Sequence, residues 1–207
     1  MGMNKKHDTR APKQERSKET KQNIVAAGLK LFSKKGLHKT NSKEIAKEAG
    51  VSIGSFYAYF QDKESLFKEV LVDYQKKIRA VVEDVETQKY VQTGKRKGFL
   101  RCLINGLIEA HSIYPQFHQE MNVMTLSDPD ISKLIENSRL ESVELTKRML
   151  FTWRDKLRVE DIEAAAVVVQ TSTEETVHTV LFSKQNVPKE KIIGELTDML
   201  SRYLFKK

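Results

Sequence analysis

Between Ser52 and Tyr59 lie the side chains of this chain best suited to meeting a nucleic acid. Ser52, Ile53, Gly54 and Ser55 are short or compact, so a backbone bearing them can come near a duplex. Tyr57 and Tyr59 add hydroxyls that can reach phosphates. Together with Lys43, the first four residues lie where base edges or adjacent phosphates would be met. Thr40, Tyr57, Tyr59 and Lys63 lie where the sugar-phosphate backbone would be held.

Those residues need two short helices and a sharp turn to present them. Asn41 can cap the first helix, with Glu44 closing a capping box from the other direction. Gly50 follows the last turn, where a left-handed backbone is easiest for a residue without Cβ. Ser52 can cap the second helix. Ala46 and Ala49 are small enough for the helices to approach closely. Ile45, Val51, Phe56 and Phe60 supply a compact apolar face, leaving Ser55, Tyr57 and Tyr59 outside. That layout is a helix-turn-helix, whose second helix enters the major groove. A plain helical hairpin in a bundle has no need of Gly-Val-Ser followed by two tyrosines on a small-residue helix.

Charge is concentrated with this motif. The chain carries 36 Lys/Arg and 28 Asp/Glu, a formal net charge of +8. Residues 1–65 hold a net +7 of it, and residues 66–207 are nearly balanced. Such a region attracts a polyanion and gives salt-dependent binding through counterion release.

The run Ile45-Ala46, Ala49-Gly50-Val51-Ser52, Gly54-Ser55-Phe56-Tyr57, Tyr59-Phe60 and Lys63-Glu64-Ser65-Leu66, preceded by Gly36-Leu37, resembles the DNA-binding domain of the TetR family of bacterial transcriptional regulators. The resemblance covers about residues 17 to 66. Asn41 departs from the Thr or Ser usual there, and all three can cap. The resemblance implies an all-α fold. Residues 1–15 read as a disordered basic arm, 16–62 as a three-helix helix-turn-helix DNA-binding domain, and 63–207 as a helical ligand-binding and dimerisation domain. It also implies a ligand-responsive regulator, read as a repressor. Its partners are double-stranded DNA at a palindromic site, a second copy of the chain, and a small hydrophobic or amphipathic effector.

Helical periodicity extends through the rest of the chain. A helix over 17–35 ends at Gly36. Asp62 starts a long fourth helix striped by Leu66, Val70, Tyr74, Ile78, Val81 and Val85, whose N-terminus would offer Lys63 and free amides to a phosphate. A loop is expected over 87–98. Helices then carry Phe99 to Ile108 and Phe117 to Met124, followed by helices from Ser127-Asp128-Pro129 to about Leu157, from Glu160 to Ser183, and from Pro188 to Phe205. Phe99, Leu103, Tyr114, Phe117, Met121, Met124 and Trp153, with Gln170 and Glu174 on a polar run, are expected to line an effector pocket. A lipophilic cation or a hydrophobic acyl or aromatic compound would suit it. By resemblance, Val177, Val180, Leu181, Ile192, Leu196, Met199 and Leu200 make a four-helix dimer interface. One helix-turn-helix offers few contacts, and two-fold dimers read half-sites about 34 Å apart or a multiple of that.

No catalytic residue, metal or cofactor is expected. Cys102 and His111 are nine residues apart on one helix, so they fall on opposite faces about 13 Å apart along its axis. His111, His118 and Glu120 show no recognised ligand spacing, and Glu174 with His178, one turn apart, could share a metal or a hydrogen bond, the hydrogen bond being the favoured reading. No phosphate-binding loop, dinucleotide fingerprint or serine elbow occurs. No apolar run reaches the roughly 18 residues of a membrane span. A single cysteine and no apolar stretch behind Lys5-Lys6 predict a reducing cytoplasm and no secretory signal. Two rival readings are a TetR-like DNA-binding factor without ligand and a helical carrier of lipophilic molecules.

Overall fold

A computed structural model describes residues 10–86 and 95–206. Among them lie nine α-helices: α1 (Arg10–Lys35), α2 (Ser42–Glu48), α3 (Ile53–Tyr59), α4 (Lys63–Glu86), α5 (Arg96–Ser112), α6 (Pro115–Ser127), α7 (Pro129–Thr152), α8 (Ile162–Phe182) and α9 (Lys189–Leu204). The fold is all-α, with no strand among the described residues beyond one isolated bridge. The chain divides into two compact units at Leu71/Val72, inside α4.

In the first unit, α1 starts at Arg10, earlier than the periodicity predicts. Pro12 sits in its first turn, where a missing N–H costs nothing. The rest of the arm expected over 1–15 lies outside the described residues. Ile24, Ala27 and Phe32 of α1 are buried with Ile45 and Ala46 of α2, Phe56 of α3, and Leu66, Phe67 and Val70 of α4. Phe32 and Phe67 meet at 5.4 Å between ring centroids. Gly28 sets the approach of α1 to α4, since a Cβ there would come within 2.8 Å of Leu66 Cδ2. Gly36 ends α1 with φ of 79°.

In the second unit, most of the loop expected over 87–98 lies outside the described residues, and α5 is already helical at Arg96. Asp128 caps α7, its carboxylate accepting from the N–H groups of Asp130 and Ile131 at 2.8 and 3.2 Å. That helix stops at Thr152 rather than near Leu157, because Trp153 N–H bonds back to Leu150 O and a 3₁₀ turn (Arg154–Lys156) follows. Phe99, Leu103, Ile104, Trp153, Leu196 and Leu200 belong to one buried cluster. Phe205 seals it, edge-on to Trp153 at 5.6 Å. The chain there clasps the 156–158 segment: Leu157 and Phe205 form the isolated bridge, Arg158 N–H donates to Leu204 O at 2.8 Å and Lys206 N–H to Lys156 O at 3.0 Å.

No helix of the described residues is long and apolar enough to cross a membrane.

Candidate functional site

Local hydrogen bonds build the helix-turn-helix from its sequence. Glu44 N–H donates to Asn41 Oδ1 at 3.0 Å, and Asn41 N–H donates to the Glu44 carboxylate at 3.2 Å. This is the expected capping box. Lys35 also donates to Glu44 at 2.6 Å, and these bonds hold the Glu44 carboxyl below its ordinary range, Lys35 contributing most. Lys30 pairs with Glu48 in the same way. Gly50 takes φ of 69° and turns the chain. Ser52 Oγ then accepts from Ser55 N–H at 3.0 Å and starts α3.

One face of α3 packs inward through Phe56, which is fully buried. The other is open. Ser52, Ile53, Gly54 and Tyr57 are exposed, Tyr57 to 57 %. A Cβ placed on Gly54 would meet only Ser52 Oγ, at 3.7 Å. Ser55 is half-buried, and its hydroxyl lies 2.9 Å from that of Ser52. Lys43 is exposed and shares a shallow surface depression with Tyr57, so a cationic side chain lies beside α3.

Three expected backbone contacts are engaged within the chain. Thr40 is 2 % exposed and its hydroxyl donates to Gly36 O at 2.7 Å, which closes the turn after α1. Lys63 Nζ donates to the carbonyls of Leu37 at 2.9 Å, Thr40 at 3.0 Å and His38 at 3.4 Å. Tyr59 shares a hydroxyl–hydroxyl bond with Ser17 at 3.0 Å. One amide at the N-terminus of α4 is capped internally: Asp62 Oδ1 accepts from Ser65 N–H at 2.7 Å. Thr40 and Lys63 therefore shape the surface rather than offering free donors to a phosphate.

The second unit encloses a cavity of about 120 Å³. Of the expected lining, Met121, Gln170 and Glu174 are there. Phe117 is buried edge-on to Tyr74 at 5.3 Å, and Met124 is buried away from the lining. Tyr114 borders a separate groove between α4 and α5, with Cys102. Phe99, Leu103 and Trp153 are corrected to core residues: Phe99 packs on Trp153 at 5.9 Å and neither reaches the cavity. The helices contribute lining that sequence reasoning missed. Tyr74, Gln75, Ile78 and Arg79 come from α4, Ser138 and Arg139 from α7, and His111 and His118 from α5 and α6. The interruption of the α4 stripe by Gln75 and Arg79, one turn apart, was the available signal.

Polar groups around the cavity form two separate hydrogen-bonded sets and leave one hydroxyl unpaired. Thr146 Oγ1 lies 3.2 Å from Gln170 Oε1, and Gln170 Nε2 donates to Glu174 at 3.3 Å. Arg79 donates to Ser138 Oγ at 2.9 Å and pairs with Glu141 at 3.0 Å. Tyr74 Oη is buried without a hydrogen-bond partner, and burial raises its pKa.

The expected Glu174–His178 hydrogen bond is replaced by the bond from Gln170. His178 instead joins His111 and His118, one ring nitrogen of each lying within 4.8 Å of the others. Glu120 is not part of this group.

The proposed dimer residues divide by exposure. Val177 lines the cavity, and Leu196 and Leu200 are buried in the protomer's own core, so these three are corrected to interior positions. Val180, Leu181 and Ile192 are half-buried, and Met199 is 48 % exposed, near exposed Tyr203 and Val187.

Comparison with known proteins agrees with this architecture. The family model described as bacterial regulatory proteins, tetR family, matches residues 24–70. The model described as tetracyclin repressor-like, C-terminal domain, matches residues 97–204. The transcriptional regulator AcrR of Shigella flexneri is 48 % identical over 61 residues, which are 30 % of this chain and 28 % of that protein. The curated relatives matched first are covered over 38 % or less of their length. A TetR-family regulator structure from Mesorhizobium loti superimposes with a TM-score of 0.72 at 20 % identity, over 91 % of this chain and 96 % of that one. SmeT of Stenotrophomonas maltophilia, solved in complex with triclosan, superimposes with a TM-score of 0.66 at 18 % identity, over 91 % and 92 % of the two chains.

Proposed function

Given that the chain belongs to the TetR family of bacterial regulatory proteins and is a transcriptional regulator with a helix-turn-helix DNA-binding domain, we propose that it acts as a ligand-released repressor. It works in the cytoplasm as a homodimer on palindromic operator DNA. One observation carries this reading: the outer face of α3 is open and built from Ser52, Ile53, Gly54 and Tyr57, with cationic Lys43 beside it. Ser52, Ile53, Gly54, Ser55 and Lys43 read or adjoin base edges, and Tyr57 and Tyr59 hold phosphates.

The cavity supports an effector that is small and mainly apolar. A void near 150 Å³ lined by hydrocarbon holds about one benzene, so 120 Å³ suits a compact molecule or one end of a longer one. The unpaired Tyr74 hydroxyl offers it one hydrogen bond. SmeT, of the same fold, binds triclosan, an aromatic ligand, which makes an aromatic effector a reasonable first probe. For release, the effector must bind the DNA-free state better, with coupling of about 1–3 kcal/mol. Val180, Leu181, Ile192 and Met199 remain as apolar surface for the dimer.

The test is a gel-shift series over sequence variants of the chain's own upstream region. Tyr57→Phe weakens binding to all sites alike, and Ile53→Ala changes the preferred sequence. Equal loss of preference in both variants, or no duplex bound at low ionic strength, refutes the reading.

A further inference from the structure

His111 of α5, His118 of α6 and His178 of α8 come from three separate helices and converge beside the cavity. Their ring centroids stand 4.5 to 5.6 Å apart. His118 is 2 % exposed, and neither of its ring nitrogens has a hydrogen-bond partner. His178 Nε2 is likewise buried and unpaired. Leaving a buried polar atom unmatched costs about 1–3 kcal/mol, so three such nitrogens in one cluster call for a ligand that uses lone pairs.

His111 is already arranged as such a donor. Its Nδ1 stands 2.8 Å from Leu107 O. A carbonyl can only accept, so Nδ1 carries the hydrogen and Nε2 the lone pair. Fixing a ligating imidazole through its other nitrogen is the usual outer support of a metal site. Stacking is the competing explanation. His118 does lie flat on Phe182, with ring centroids 4.6 Å apart and planes 7° apart. Stacking uses the ring faces, however, and leaves the in-plane nitrogens unmatched.

We infer that His111, His118 and His178 form a binding site for a borderline divalent transition-metal ion, Zn(II) first, with a coordination position left toward the cavity. An all-imidazole set without thiolate suits Zn(II), Co(II), Ni(II) or Cu(II) rather than a soft monovalent ion or a hard oxygen-seeking one. Tetrahedral Zn–N bonds of about 2.0–2.1 Å place the nitrogens about 3.3 Å from one another. The three donors, now within 4.8 Å, must close by about 1.5 Å at most, a movement that side-chain torsions can supply. Burial, first among the causes, lowers the pKa of His111 to about 4 and that of His118 to about 3. Glu174, one turn before His178 on α8, acts electrostatically on that ring and supplies negative charge beside the ion.

Metal-free full-length chain, without a histidine affinity tag, is titrated with Co(II) in the absence of DNA. The expected result is the intense visible absorption of low-coordinate Co(II), saturating at one ion per chain and bleached by Zn(II). Zn(II) also raises Tm, because it binds the folded chain. His118→Phe keeps a ring against Phe182 and removes both nitrogens; it abolishes the absorption, as does His178→Gln, and His38→Ala leaves it unchanged. The wild-type titration decides even where a variant fails to fold. Weak octahedral Co(II) absorption with no Zn(II)-dependent rise in Tm overturns the site, and so does full absorption in His118→Phe and His178→Gln. DNA plays no part, so the outcome is separate from the repressor reading.

Discussion

Replacing Lys63 with Met separates two roles that a lysine at the start of α4 can play. Its ammonium has three donors, and three carbonyls face them, those of Leu37 and Thr40 at 2.9 and 3.0 Å and that of His38 at a weaker 3.4 Å. Leu37 and Thr40 are both buried, so water replaces the lost bonds poorly. A hydrogen bond to a charged group is worth about 1.5–3 kcal/mol, and with Lys63 half-exposed the substitution costs about 2 kcal/mol, or roughly 30-fold in the folded-to-unfolded ratio. Urea unfolding then shows a lower midpoint with an unchanged slope. On DNA, losing a lysine that neutralises a phosphate reduces the slope of log K against log salt by about 0.9. Losing one that clamps the turn before α2 leaves that slope intact and weakens all sequences alike. A salt slope smaller by about one, with wild-type urea stability, refutes the structural role and restores Lys63 to the phosphate backbone.

Gly50→Ala meets no atom within 4 Å but must hold φ of 69°, so it destabilises the first unit by about 1–2 kcal/mol, and Gly50→Asn by less; equal Tm values for the two variants contradict this. In metal-free protein, His111 and His118 have folded pKa values below 6.5, so the unfolded chain takes up protons first. Their contribution is complete above about pH 6.5 and is lost as pH falls through about 4 for His111 and about 3 for His118, so Tm drops across that window and drops less in His118→Phe; parallel profiles for the two proteins rule it out.

The first unit was legible because its signals are local. Asn41 with Glu44, Gly50, and Ser52 with Ser55 each fix a cap or turn within four residues, and each took the expected form. What the sequence concealed there was occupancy. Lys63 looks free in a string of letters, yet its partners lie more than twenty residues earlier. The cavity was less legible because five helices line it, and apolar periodicity marks a buried face without saying which neighbour it meets. Phe99 and Trp153 satisfy the same pattern as Met121 but face each other across a solid core. The histidine cluster was hidden for the same reason. His178 stands one turn from Glu174, which made a local pair the simplest reading, whereas packing carries it to residues sixty positions away.

The clasp of Phe205 and Lys206 onto the 156–158 segment sets an order of events during synthesis. The residues up to Leu71 form one uninterrupted stretch and can fold as soon as they emerge. The second unit's core cannot close until residue 205 has been made. For the interval between, and in any chain cut short before that clasp, the helix-turn-helix unit exists beside a second unit whose core is still open.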